Sequence, residues 1–387
     1  MSKKYLYKPP NCSKFSGYKP CAPYKLCEQC SDSSPVGKHI LLISLEAQGA
    51  VLMTTALLHA IKQKYPESYL IWLTIQESMP LLENNHLIDV VLPWNDENRM
   101  YLQQIEFDIV YSLDKSCYTG AFANKLKAKE KFGFGLSPHG VITPLNKGAL
   151  YSYMLGINDK LKFQENKLTG IEILHKTIEL PYQGGRYILN LDPDEIEYRN
   201  KWAKKTGLLQ NDIIIGLNTG CSRLFPHKKL TIEQHVKLIK KLYNSDPDTK
   251  ILLLGGREDT ERNNQIHNLC NRRTINTPTT EGLRRGIVYV DLSDIVISGD
   301  SLGMHIAIGL GKYVVAWFGL SCAQEIDLFG RGEKILPRVP CAPCWKQSCN
   351  DLKCLHEISL HEIYNSIIKG VKVLKVEKAR QKKKSFF

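Results

Sequence analysis

The sequence predicts an α/β protein built from two Rossmann-like domains, each a parallel sheet covered by helices. Three observations carry the prediction. Short apolar runs alternate with amphipathic stretches from His39 onward, the pattern of strand–helix–strand units. Several runs (HILLISL, YLIWLT, KILLL, YVVAWF) are apolar throughout rather than alternating, as expected for strands buried on both faces. Finally, 387 residues suffice for two sizeable cores.

Taken in order, HILLISL (39–45) is the first strand, and the turn SLEAQGAVLMTT leads into a helix with Met53, Leu57 and Ile61 on one face. YLIWLT (69–74), IDVVLPW (88–94) and FDIVYSL (107–113) are further strands, and a helical stretch near 118–129 precedes KFGFGL. A second series begins after PYQGGRYILNLDPDE. It has a strand in DIIIGLN (212–218), a helix in TIEQHVKLIKKLYN (231–244) with Val236, Ile239 and Leu242 at helical spacing, and a strand in KILLLGG (250–256). DIVISGD (294–300), SLGMHIAIGLG and YVVAWFG (313–319) form a compact strand–helix–strand unit. The expected boundaries are a Cys-rich segment 1–37, a first domain 38–185, a second domain 186–338, a Cys-rich loop 339–358, and a C-terminal helix with basic tail 359–387. Ligands of such sheets bind beyond the carboxyl ends of the strands, so the cleft between the domains is the expected site.

Composition narrows the class. No apolar run is long enough to cross a bilayer, and MSKKYLYKPPNC lacks the apolar core of a signal peptide, so a cytoplasmic location is expected. The net charge is +13, of which +7 falls in residues 369–387, with eight Lys/Arg against one Glu. That tail is either a solvated segment or a patch for an anionic surface, with peripheral attachment to the inner membrane face as one outcome. Eight of twelve cysteines fall in two terminal clusters, Cys12, Cys21, Cys27, Cys30 and Cys341, Cys344, Cys349, Cys354. In a reducing compartment such spacing points to structural zinc or iron rather than disulfides. Each cluster holds one ion, or Cys27/Cys30 and Cys341/Cys344 share a site.

Chemistry concentrates in GDSLGMHIA. Asp300 ends a strand at the N-cap of the next helix, Ser301, Leu302 and Gly303 follow with free N–H groups, and His305 lies one turn on. A helix start of this kind cradles phosphate. Taken singly, Asp300 reads rather as a cap and His305 as a core histidine, and only the whole arrangement points to phosphate binding.

This segment, with AWFGLS after it, resembles the C-terminal motif of glycosyltransferase family 9, the lipopolysaccharide heptosyltransferases. The likeness extends over most of residues 38–375. QGAVLMTTALL matches the family's N-terminal motif, and Gly220-Cys221-Ser222 with Lys228-Lys229-Leu230-Thr231 matches a second one loosely. The sequence departs from the family at Gly319-Leu320-Ser321, where members have Gly-Pro-Thr.

The resemblance implies a GT-B fold and inverting transfer of a sugar from a nucleotide donor, ADP-heptose foremost, to a glycan, glycolipid or protein hydroxyl. No catalytic metal and no nucleic acid are implied, and association into oligomers is compatible with the sequence. It places Lys228 on the diphosphate and Ser301, Leu302, Gly303 and His305 around the phosphates. Asp300 falls near the sugar, Glu258 or Asp259 on the ribose, and Thr219 and Gly220 along the donor.

The family's general base is an Asp after the glycine of the first motif, and here that position is Ala50. With its surroundings intact, the chain reads as a base-knockout variant, impaired in turnover. A natural member using another base, with Glu46 and Asp114 at the ends of first-domain strands, is the alternative. An inactive nucleotide-sugar-binding or scaffold protein of the same fold is a second alternative. A zinc-dependent nucleic-acid binder is a third, but no basic recognition helix follows either cysteine cluster.

Overall fold

The structure is a computed structural model that describes residues 7–19, 21, 26–28, 30–209 and 211–384, with side chains to residue 380. The basic terminus beyond it therefore lies outside the described side chains.

Among the described residues, two six-stranded sheets form the framework. The first contains β1 (His39–Ile43), β2 (Tyr69–Thr74), β3 (Val90–Pro93), β4 (Glu106–Ser112), β5 (Lys127–Leu136) and β6 (Ile142–Pro144), in the order β3-β2-β1-β4-β5-β6. The second contains β7 (Ile214–Asn218), β8 (Lys250–Leu254), β9 (Ile275–Asn276), β10 (Ile295–Gly299), β11 (Tyr313–Trp317) and β12 (Gly332–Ile335), in the order β12-β11-β10-β7-β8-β9. Every pairing is parallel except β5 with β6. Ile40, Leu41, Leu42 and Ile43 of β1 are wholly buried, as are Ile295, Val296 and Ile297 of β10. This is why those strands read as unbroken apolar runs.

Element limits differ most from the sequence expectation ahead of β5. The helix expected near 118–129 is Cys117–Lys125, and β5 begins at Lys127, because Lys127, Ala128 and Glu130 pair with Glu106, Phe107 and Ile109 of β4. Strand pairing overrides the helical propensity of KLKAKEK. The Ile232–Ser245 helix matches its prediction. Thr231 and Gln234 close a capping box at its start, and Val236, Leu238, Ile239 and Leu242 form its buried face.

The C-terminal helix Leu360–Lys384 lies on the second sheet, beside β10, β11 and β12. Ile363 and Ile367 anchor it with no exposed surface, and Gly370 lets it close on Tyr313, where a Cβ would stand 2.7 Å from the ring.

The two domains share one apolar cluster. Leu52, Ala56, Leu81 and Ile171 of the first pack with Met304, Ile306, Ile308 and Phe318 of the second. Arg284, on the Gly282–Asp291 helix, staples the same side. It pairs with Glu195 and donates to the carbonyls of Asn190 at 2.8 Å and of Pro80 in the first domain at 3.0 Å. The linker is tied in as well, since Ile188 N donates to Thr55 Oγ1 at 2.8 Å. No helix among the described residues is long and apolar enough to cross a membrane.

Truncating Ile367 to alanine leaves a cavity between the terminal helix and the second sheet. We expect a loss of ~2–5 kcal/mol in urea unfolding. A loss under about 0.5 kcal/mol, the range of surface substitutions, would show that the helix is not part of the core.

Candidate active site

The carboxyl ends of both sheets meet across the cleft, and the loops that leave them carry the site. On the second sheet, Gly299 ends β10 and Asp300 follows it. Asp300 Oδ2 accepts from Lys228 Nζ at 2.6 Å, and both side chains are almost wholly enclosed. Burial alone would raise the Asp300 pKa, but the Lys228 ammonium and the nearby His305 override it and hold the carboxyl below its ordinary value. Lys228 is placed by its backbone. Its carbonyl oxygen lies where a Cβ on Gly299 would be, 1.9 Å away, and accepts from Trp317 Nε1 at 3.1 Å. Only glycine permits that approach.

Above the Lys228 ammonium lie two rings, Phe225 at 5.1 Å and Trp345 at 4.7 Å. Trp345 comes from the Cys341–Cys354 loop and has a left-handed backbone, φ 55°. It also meets Lys162 of the first domain, whose Nζ is 4.8 Å from the ring. One indole thus spans a cation from each domain.

The Leu302–Gly309 helix starts one residue later than the sequence suggests. Its N-cap is Ser301, not Asp300. Ser301 Oγ does not cap the helix because Asn218 Nδ2 at 2.9 Å and Ser298 Oγ at 3.0 Å occupy it. The asparagine side chain packs so closely on Gly303 that a Cβ there would stand 2.6 Å from its Cγ.

His305 is buried and bridges the domains. Its Nδ1 is 3.1 Å from the Tyr187 hydroxyl, its ring stacks on Tyr187, and its Nε2 lies 3.9 Å from Asp300 Oδ1. Across the cleft it abuts Gly49, where a Cβ would stand 2.5 Å from the His305 ring. Burial pushes its pKa down to about 4, so near neutrality it is uncharged. It therefore acts as a neutral polar strut, not as a cation for phosphate.

The remaining donor-side residues divide. Thr219 is fully buried, its hydroxyl 2.5 Å from Asn263 Oδ1, so that group supports the loop rather than facing the cleft. Gly220 and Gly255 close over the Asp259 carboxyl, which accepts from Gly256 N at 3.0 Å and whose pKa burial raises. Glu258 is the outer carboxylate of the pair, held by Arg223 Nε at 2.7 Å.

On the first sheet, Ala50 lies in the first turn of the Gln48–Thr54 helix, half-buried. Thr54 and Thr55, about one turn further along the chain, serve structure. Their hydroxyls donate to the carbonyls of Ala50 at 2.8 Å and Leu52 at 2.6 Å. Asp114 follows β4, and its Oδ2 accepts from Leu45 N at 2.6 Å.

The cysteine clusters do not form preformed cages. Among the described residues no three His, Cys, Asp or Glu side chains converge as a metal-ligand set. In the C-terminal loop the thiols are nonetheless neighbours. Burial first, then the charges of Cys344, Cys341 and Cys349, raise the Cys354 pKa.

Tyr187, Asn218, Arg284 and Trp345 were not singled out in the sequence. Each acts through a partner at least 80 positions away, and short-range spacing carries no trace of that.

Two facing parallel α/β domains, with a buried Lys–Asp pair at a helix start in the cleft, define a GT-B glycosyltransferase. The chain belongs to glycosyltransferase family 9 (heptosyltransferase), whose model matches residues 99–355. It is 20% identical over 290 residues to the lipopolysaccharide core heptosyltransferase OpsX of Haemophilus influenzae, covering 73% of this chain and 79% of that protein. Its fold is similar to a family 9 glycosyltransferase from Veillonella parvula, with a TM-score of 0.68 and 18% identity over 88% of this chain and 98% of that one. It is also similar to TibC of enterotoxigenic E. coli, an iron-containing dodecameric heptosyltransferase solved with ADP-D-β-D-heptose. That likeness has a TM-score of 0.54 and 10% identity over 87% of this chain and 76% of that one.

The buried neutral histidines set an acid limit. In the unfolded chain His305 and His235 take up protons near pH 6.5, but in the folded protein only near pH 4. Stability must therefore fall as pH drops from about 6.5 to about 4, with a slope of up to ~1.4 kcal/mol per unit per histidine. His305→Asn should remove one such contribution. Equal slopes in urea titrations of the two proteins across that window would contradict the assignment.

Proposed function

We propose that this protein transfers a heptose from ADP-heptose to a hydroxyl of a lipopolysaccharide-core type acceptor, with inversion at the anomeric carbon. The Lys228–Asp300 pair at the start of the Leu302–Gly309 helix carries this reading. An ammonium and outward N–H groups of Leu302 and Gly303 suit a diphosphate leaving group, whose charge grows in the transition state. Donor binding lets Lys228 share its charge between the diphosphate and Asp300, which then accepts from sugar hydroxyls. Glu258 stands on the rim where a ribose would lie, and Asp259 fixes that loop. The relative's name supports the acceptor class and the ADP-heptose complex of TibC supports the donor. A glycolipid or protein hydroxyl, and peripheral attachment of the basic tail to a membrane, belong to the same proposal.

One observation favours a second reading, a nucleotide-sugar binder without turnover: the half-buried methyl of Ala50 at the family's base position.

Lys228→Ala should weaken ADP-heptose binding by ~1–3 kcal/mol, the cost of losing a hydrogen bond to a charged group. Calorimetry that finds the affinity unchanged would sink the donor-site assignment.

The C-terminal thiols fit a soft cation. Burial first, then the charges of the three other thiols of the loop, raise the Cys354 pKa, and a cation would relieve the part due to their repulsion. Cys341, Cys344, Cys349 and Cys354 would hold zinc or iron as a structural cross-link, securing the loop that carries Trp345. Elemental analysis should find on the order of one such ion per chain, and Cys344→Ser should lower the melting temperature. A metal-free protein of undiminished stability would refute this.

A further inference from the structure

Position 50 holds no proton acceptor, but a carboxyl follows the neighbouring strand at the same edge of the sheet. β1 and β4 are adjacent parallel strands with Ile43 opposite Ser112, and Leu113 N donates to Ile43 O at 3.0 Å beyond the last paired residues. One step further, Asp114 lies beside Leu45, in the turn that leads to Ala50. Its bond from Leu45 N fixes the direction of its carboxyl.

The loop faces the donor domain. The charge of Lys115, the next residue, acts on Glu325 of the second domain, and Glu325 in turn feels Asp300. Among the described residues Asp114 has no ion-pair partner within 4 Å, whereas Asp300 is neutralised by Lys228. We propose that Asp114 is the general base of sugar transfer in this chain, taking over the role that Ala50 cannot perform. This rests on the glycosyltransferase reading above.

The step balances. The acceptor hydroxyl gives its proton to the Asp114 carboxylate while its oxygen bonds to the anomeric carbon. The bond from that carbon to the diphosphate oxygen breaks, ADP leaves with the electron pair, and Asp114 later releases the proton to water. Electrostatics agree with the geometry. Burial, joined by the charge of Glu46 across the turn, pushes the Asp114 pKa up to about 7 against the bonds from the backbone of Leu45 and Glu46. A base is most effective with its pKa near the working pH. Glu46 is the ionisable group acting on it, while Lys115 is coupled to Lys162 and Glu325.

Four proteins test the proposal: the chain with Ala50, Asp114→Asn, Ala50→Asp and the double variant. Calorimetry with ADP-heptose is followed by ADP release from ADP-heptose, in water and with lipopolysaccharide core oligosaccharide. Asparagine keeps an oxygen for Leu45 N, so unchanged donor affinity certifies the fold of Asp114→Asn. The expected result is a rate lower by ~10²–10⁴ in Asp114→Asn. The Ala50 chain should lose rate below about pH 7, that decline should vanish in Asp114→Asn, and Ala50→Asp should restore turnover in the double variant. If the Ala50 chain binds no ADP-heptose, the glycosyltransferase reading fails and this inference with it. If it binds donor and Asp114→Asn turns over at the same rate, only the base assignment fails. Donor binding with turnover confined to Ala50→Asp, or with none in any form, also overturns it, because a placed base should at least activate water.

Discussion

The geometry of the cleft depends on one enclosed ion pair, Lys228 with Asp300. Neither partner is held by its own side chain alone. Lys228 is positioned because its carbonyl rests on Gly299 and bonds to Trp317 Nε1, and Asp300 because β10 ends one residue earlier. Taking two charges out of water is costly, and the pair offsets this only with good geometry and further polar neighbours. Here the 2.6 Å contact, the two aromatic faces over the ammonium and the neutral His305 beside the carboxyl supply those terms. Under the proposed donor binding, a diphosphate would add a third member to a charge system already desolvated, where its interaction with Lys228 is stronger than in water.

That system also explains why the domains are locked on one side. His305 touches Gly49 and Tyr187, Arg284 reaches Pro80, and Trp345 shares its face between Lys228 and Lys162. These contacts join the loop that carries Ala50 to the helix that begins at Ser301. A side chain at position 49 would push directly on His305, which sits beside Asp300. The position of the first domain and the electrostatics of the Lys228–Asp300 pair are therefore one constraint.

Strands whose side chains are buried on both faces were legible, because burial there forces consecutive apolar residues, as in β1, β2 and β11. The start of β5 was not, since KAKEK carries a helical composition and becomes strand only by pairing with β4. The Asp300–His305 segment was legible as a motif, but its polarity was not. His305 reads as a phosphate partner, and only its burial against Tyr187 and Gly49 makes it a neutral strut. Thr219 had the right position, while its hydroxyl points inward to Asn263. The thiols of Cys341–Cys354 were legible as a cluster. That the same loop delivers Trp345 to the ion pair depends on contacts across more than a hundred residues.

The carboxyls of the cleft are tuned in opposite directions, and this sorts their roles more firmly than sequence position does. Asp300 is as enclosed as Asp114, yet its cation keeps it ionised and a weak proton acceptor, while Asp114, without a cation, is pushed up to about 7. Separate environments that drive titratable groups apart are the usual signature of divided acid–base labour. Glu325 complicates a two-carboxyl picture, since burial raises it as well. It feels both Lys162 and Lys115, however, so a proton taken up there would weaken two favourable charge interactions at once. Asp114 takes up a proton with relief of its repulsion from Glu46, against weaker bonds from the backbone of Leu45 and Glu46. Asp300, Asp259 and Glu325 each have lysine or arginine charges acting on them, and Asp114 has none.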